Sequence, residues 1–88
     1  MKETHVVLGV HITERARNAV RVQQVLTEHG GCIKTRLGLH EPQGEQGGPN
    51  GLLLLEIVGG ETKADALTAG LAAIEGVYVK RMVFDHPR

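Results

Sequence analysis

The hydrophobic pattern along the chain changes period several times, and each change marks an element. Residues 4–11 alternate, with Val6, Leu8 and Val10 on one parity and His5, Val7, Gly9 and His11 on the other. A period of two predicts a strand, and the bulkier set faces inward. Thr13 then reads as a helix N-cap with Glu14 in the first turn. A helix is predicted to about His29, with Ala16, Ala19, Val20, Gln23, Leu26 and Thr27 on or beside its inward stripe and Val22 and Val25 widening it. Gly30-Gly31 predicts a left-handed stop. Residues 32–40 alternate again, and Ile33, Thr35, Leu37 and Leu39 form the more apolar set, expected inward. Residues 41–50 are rich in Gly, Gln, Glu and Pro and predict a hairpin loop.

Gly51-Leu52-Leu53-Leu54-Leu55-Glu56-Ile57-Val58 breaks the alternation. It is apolar on both parities except at Glu56, which predicts a central strand covered on both faces. Thr62 with Asp65 has the form of a capping box for a second helix over 62–75. Leu67, Leu71 and Ile74 form its stripe, Ala66, Ala69, Gly70 and Ala73 permit close approach, and Gly76 ends it. Val77 to Phe84 closes the pattern as a last strand, with Asp85 to Arg88 expected to fray. The order β-α-β-β-α-β predicts a ferredoxin-like α+β fold: a four-stranded antiparallel sheet with two helices on one face. The other face would carry Val7, Leu52, Leu54, Val58, Tyr78, Met82 and Phe84, an apolar surface that calls for a partner. An interface is therefore expected at Leu52, Leu54, Glu56, Val58, Tyr78 and Met82, together with Arg36, which is expected to pair with Glu56 across adjacent strands.

Length and composition narrow the functional classes. A chain of 88 residues makes one domain, 1–88, and such a domain buries only about 60–65% of its unfolded surface, so self-association helps it. Ten basic and ten acidic residues balance to a net charge of +0, and there is one Tyr, one Phe and no Trp. That combination argues against direct binding to nucleic acid, by phosphate contacts or by base stacking. Arg15, Arg17 and Arg21 share their helix with Glu14 and Glu28 and read as a solvated face. Gly59-Gly60 lacks the Lys-Ser/Thr ending of a phosphate loop and reads as a turn. The lone Cys32 excludes an internal disulfide, and no apolar run reaches membrane-spanning length. These features predict the reducing cytoplasm and no membrane contact.

Two sharper readings concern metal and nucleophile chemistry. His29 and Cys32 have a spacing that could bring imidazole and thiolate together, with His5, His11 and His40 joining them, and such a set suits zinc, nickel or copper. The plainer reading is a histidine at a helix C-terminus and a small half-buried hydrophobe. Cys32 as a nucleophile has no positioned base nearby in sequence. No cofactor and no catalytic residue is assigned.

Arg36-Leu37-Gly38, together with Ala66-Leu67, Leu71 and the run Ile74-Glu75-Gly76-Val77-Tyr78-Val79-Lys80, resembles the iron-only hydrogenase system regulators. These are small domains similar to ACT domains and to the C-terminal domain of the nickel-responsive repressor. The resemblance implies an ACT-like, homo-oligomeric, ligand-responsive regulator with no catalytic activity. In amino-acid-binding ACT domains the ligand meets the junction between first strand and first helix. The matching positions here are His11, Ile12 and Thr13. The implied partners are further copies of the chain and a small ligand or a protein. A metal sensor built on His29 and Cys32 is the alternative.

Overall fold

The computed structural model describes residues 2–39 and 51–87. The expected loop at 41–50 and His40 lie outside the described residues, as do the side chains of Ala16 and Leu39. Four strands and two helices follow in the expected order: β1 (Lys2–Ile12), α1 (Arg15–Glu28), β2 (Ile33–Leu39), β3 (Gly51–Ile57), α2 (Gly60–Ala72) and β4 (Val77–Pro87). The strands form one antiparallel sheet in the order β2-β3-β1-β4. This is the ferredoxin-like arrangement, with the apolar β3 in the interior of the sheet.

Strand alternation builds the core. Val6, Leu8, Val10 and Ile12 on β1 meet Leu55 and Ile57 on β3 and Val77 on β4. Val22 and Leu26 of α1 and Ala64, Leu67 and Leu71 of α2 close over them, with Cys32 and Ile74 in the same cluster. Both helices therefore cover one face. Gly70 allows them to approach, because a Cβ there would lie 3.0 Å from a Val25 methyl.

Several local expectations are corrected. The buried stripe of α1 is Asn18, Val22 and Leu26, flanked by half-buried Ala19, Val25 and His29. Val20 is 68% exposed, and Gln23 and Thr27 also face solvent. The N-cap is Glu14, which is left-handed at φ 50° and makes no side-chain cap bond. Gly30 and Gly31 do not adopt positive φ; they continue into a short 3-10 turn ending at Cys32. α2 begins at Gly60 after left-handed Gly59, so Thr62 and Asp65 lie inside the helix and form no capping box. β4 does not fray after Phe84, since pairing with β1 continues to Lys2↔Pro87.

The largest correction is the parity of β2. Ile33 pairs with Ile57, but Thr35 pairs with Glu56, so one extra residue is accommodated between Ile33 and Thr35. Such a bulge switches the faces of everything beyond it. Ile33 stays inward. Thr35 and Leu37 turn outward opposite Glu56 and Leu54, and Arg36 and Gly38 take the helix side opposite Leu55 and Leu53.

Candidate functional site

The open sheet face collects the side chains left over from the core. Across the middle, Val7 lies opposite Glu56 on β3 and Met82 on β4, and Gly9 lies opposite Leu54 and Lys80. His11 lies opposite Leu52 and Tyr78, with the two rings 6.4 Å apart. Leu37, Tyr78, Met82 and Phe84 each expose half or more of their surface, and Leu52 and Val58 are also exposed. Gly9 leaves a shallow dip that the Leu54 side chain borders; a Cβ at Gly9 would sit 3.9 Å from Leu54 Cδ2. An apolar surface of this kind is a candidate interaction site.

One polar cluster interrupts it. Thr35 Oγ1 donates to Glu56 Oε1 at 3.1 Å, while Lys34 Nζ and His5 Nδ1 both lie 3.9 Å from Oε2. The bulge at Lys34 makes this possible by turning Thr35 towards Glu56. Arg36 is thus not the partner of Glu56, and its expected place in the interface set is corrected: it lies on the opposite sheet face.

A second candidate is the junction where β1 enters α1 beside the start of β4. Thr13 donates to the Gly76 carbonyl twice, from its backbone N at 2.9 Å and from Oγ1 at 2.7 Å. Asn18 Nδ2 donates to the carbonyls of Thr13 (2.9 Å) and Glu75 (3.2 Å). Asn18 is 7% exposed, so these bonds explain how an amide occupies a core position. Gly76 has φ 88°, and a Cβ on it would come within 2.7 Å of Thr13 Oγ1. A polar cleft of about 230 Å³ opens beside this knot, lined by Thr13, Glu14, Arg17, Asn18, Glu75, Gly76 and Tyr78. The three expected ligand residues do not converge here. Strand alternation sends His11 to the open face and Ile12 into the core, and the Thr13 hydroxyl is committed to Gly76.

The histidine and cysteine set also separates. Cys32 is buried beneath the helices, with its thiol donating to the His29 carbonyl at 3.3 Å. His29 Nδ1 lies 3.0 Å from the Val25 carbonyl, which requires that nitrogen to carry the proton. His5 and His11 are on the other side of the sheet. Among the described residues no three His, Cys, Asp or Glu side chains gather to hold a metal ion. No helix among them is long and apolar enough to cross a membrane.

No protein-family model matches the chain, and no curated protein matches it. Solved structures do match. An uncharacterized protein from Thermotoga maritima superposes with a TM-score of 0.77 at 20% identity, over 96% of this chain and 99% of that one. CPII from Thiomonas intermedia K12, a nitrogen regulatory PII-like protein bound to ADP, AMP and bicarbonate, superposes with a TM-score of 0.67 at 13% identity, over 100% of this chain and 96% of that one. The fold is that of CPII. A formyltetrahydrofolate deformylase from Pseudomonas putida KT2440 also matches, with a TM-score of 0.53 at 12% identity, but only 28% of its chain is involved. At these identities the shared property is the fold. CPII is a whole-chain match, whereas the enzyme contains a portion of similar shape.

Proposed function

We propose that this chain is a non-catalytic regulatory domain that self-associates through the open sheet face and binds a small ligand at the resulting subunit boundary. The observation that carries the reading is the apolar face itself, with Leu37, Leu52, Tyr78, Met82 and Phe84 exposed in the single chain. A second copy is the natural cover. Glu56 already has Thr35, His5 and Lys34 around it, so closing that face need not bury an unpartnered carboxylate. CPII, a regulator of the same fold with bound ADP, AMP and bicarbonate, supports the regulatory part and makes adenine nucleotides the first ligands to try. The resemblance to the iron-only hydrogenase system regulators supports that system as the regulated target, and deletion of the gene should then alter hydrogenase activity in cells. A ligand shifts such an assembly only by its differential affinity for the free and associated states. Light scattering at micromolar protein, with and without ADP, tests the reading. A multimer whose mass distribution or stability responds to nucleotide is expected. A monomer under both conditions would overturn it.

A further inference from the structure

The bulge in β2 has an effect on the helix side of the sheet. Had the alternation run on unbroken, bulky Leu37 would face α1. The structure instead places Arg36 and Gly38 there. Gly38 has no side chain and Arg36 reaches towards solvent, while the neighbouring wall of α1 offers small Ala19 and exposed Gln23. Helix and strand are left apart by a groove of about 430 Å³, lined by Ile12, Ala19, Val22, Arg36, Gly38 and Leu53, with Gln23 at its side. That volume falls within the range of about 300–1,000 Å³ typical of small-molecule sites.

The groove carries one charge. The ion pairs of the described acids go elsewhere: Glu14 to Arg17, Glu56 to His5 and Lys34, and Glu61 and Asp65 to Arg81. Among the described residues Arg36 has no ion-pair partner, and no acidic side chain lines the groove. A guanidinium presents a planar fork that fits one carboxylate through two parallel bonds. One guanidinium neutralises one carboxylate, whereas a phosphate dianion would keep a net negative charge against apolar walls. The accessible walls are aliphatic, from Ala19 and Leu53 over a floor of buried Ile12 and Val22, with no aromatic ring on which a nucleobase would stack.

We propose that the groove between α1 and β2 is a binding site for a small aliphatic carboxylate, its head held by Arg36 with help from the Gln23 amide and its tail lying along Ala19, Gly38 and Leu53. The site lies within one chain and does not depend on the subunit boundary invoked above. A monomeric protein would remove the regulatory reading and leave this one standing.

Octanoate serves as the probe, followed by titration calorimetry and by amide chemical shifts at Arg36, Gly38 and Ala19. Arg36→Gln keeps size and hydrogen-bonding capacity but removes the charge, and should weaken binding about tenfold or more. Gly38→Val fills the groove; a Cβ there makes only ordinary contact, 3.5 Å from Leu53 Cδ2, and valine suits a strand. It should abolish binding at unchanged oligomeric state. Should that variant fail to fold, Arg36→Gln, at an exposed position, still decides the matter. No binding by the wild type up to millimolar octanoate, wild-type affinity in Arg36→Gln, or loss of binding in Leu54→Lys on the opposite face with Arg36→Gln unaffected would each overturn the proposal.

Discussion

Replacing Leu54 by lysine separates the role of the open face from the integrity of the fold. Leu54 pairs with Gly9 on one side and Leu37 on the other, at the middle of the apolar surface. Its chain neighbours Leu53 and Leu55 point the other way, into or against the core, so the substitution leaves the helix-side packing untouched. Leu54 is already half-buried in the single chain, so of the about 1.5–3 kcal/mol for fully burying a leucine, association adds about 0.5–1 kcal/mol. In a two-fold interface the position occurs twice, which makes about 1–2 kcal/mol. At about 1.4 kcal/mol per factor of ten, the lost burial alone should raise the dissociation constant roughly 5- to 30-fold. The cost of stripping water from a lysine ammonium adds to this. A micromolar assembly would therefore fall apart at ordinary working concentrations. Light scattering across a dilution series measures the mass, and far-ultraviolet circular dichroism on the same samples measures the helices. Monomers with wild-type dichroism are expected. An oligomer of unchanged mass and affinity would refute the placement of the interface on this face.

Three further outcomes follow from other parts of the structure. Asn18→Ala removes both bonds to the Thr13 and Glu75 carbonyls inside a buried site, so stability should fall by about 1–3 kcal/mol; a thermal midpoint unchanged from wild type would show that the bonds contribute nothing. Glu14→Gly relieves a left-handed residue at φ 50° and forfeits only an exposed pair with Arg17, so it should stabilise by up to ~1 kcal/mol, read as a raised midpoint in chemical denaturation. Cys32, at 7% exposure and bonded to the His29 carbonyl, should react with a thiol reagent far more slowly in the native protein than in denaturant; equal rates would contradict its burial.

The fold could be read from the sequence because its strands and helices differ in period and the glycines fall between them. Val6, Leu8 and Val10 against His5, Val7 and His11 left no ambiguity about which side of β1 is the core. The same parity argument separated Leu53, Leu55 and Ile57 from Leu52, Leu54 and Glu56. It failed on β2 because a bulge is one residue of backbone geometry with no composition of its own, and Lys34 carries no mark of it. The face of α1 was misjudged for a different reason. A valine at 20 looks more buriable than an asparagine at 18, yet Asn18 has two carbonyl acceptors waiting for it and Val20 has nothing to pack against. Only the position of Glu75 and Thr13 in space reveals that. The Arg36 groove was hidden with the bulge, since both depend on the same switch of faces. The positive φ at Glu14 had no signal either, because glutamate is not a residue that advertises left-handed backbone.

The knot at Thr13, Asn18 and Gly76 joins the start of the first helix to the start of the last strand, across a sequence separation of 57 to 63 residues. Those two connections belong to the two halves of a β-α-β repeat. Without a cross-tie, each half could swing open by itself at the expense of a few local contacts. With Thr13 bonded twice to Gly76 and Asn18 bridging both backbones, neither junction can open while the other stays shut. The halves are therefore bound into one cooperative unit. The Thr13 amide should exchange its hydrogen only through openings as rare as global unfolding. A contact spanning so much of the chain also cannot form until both halves have found each other, so it belongs to the late side of the folding barrier.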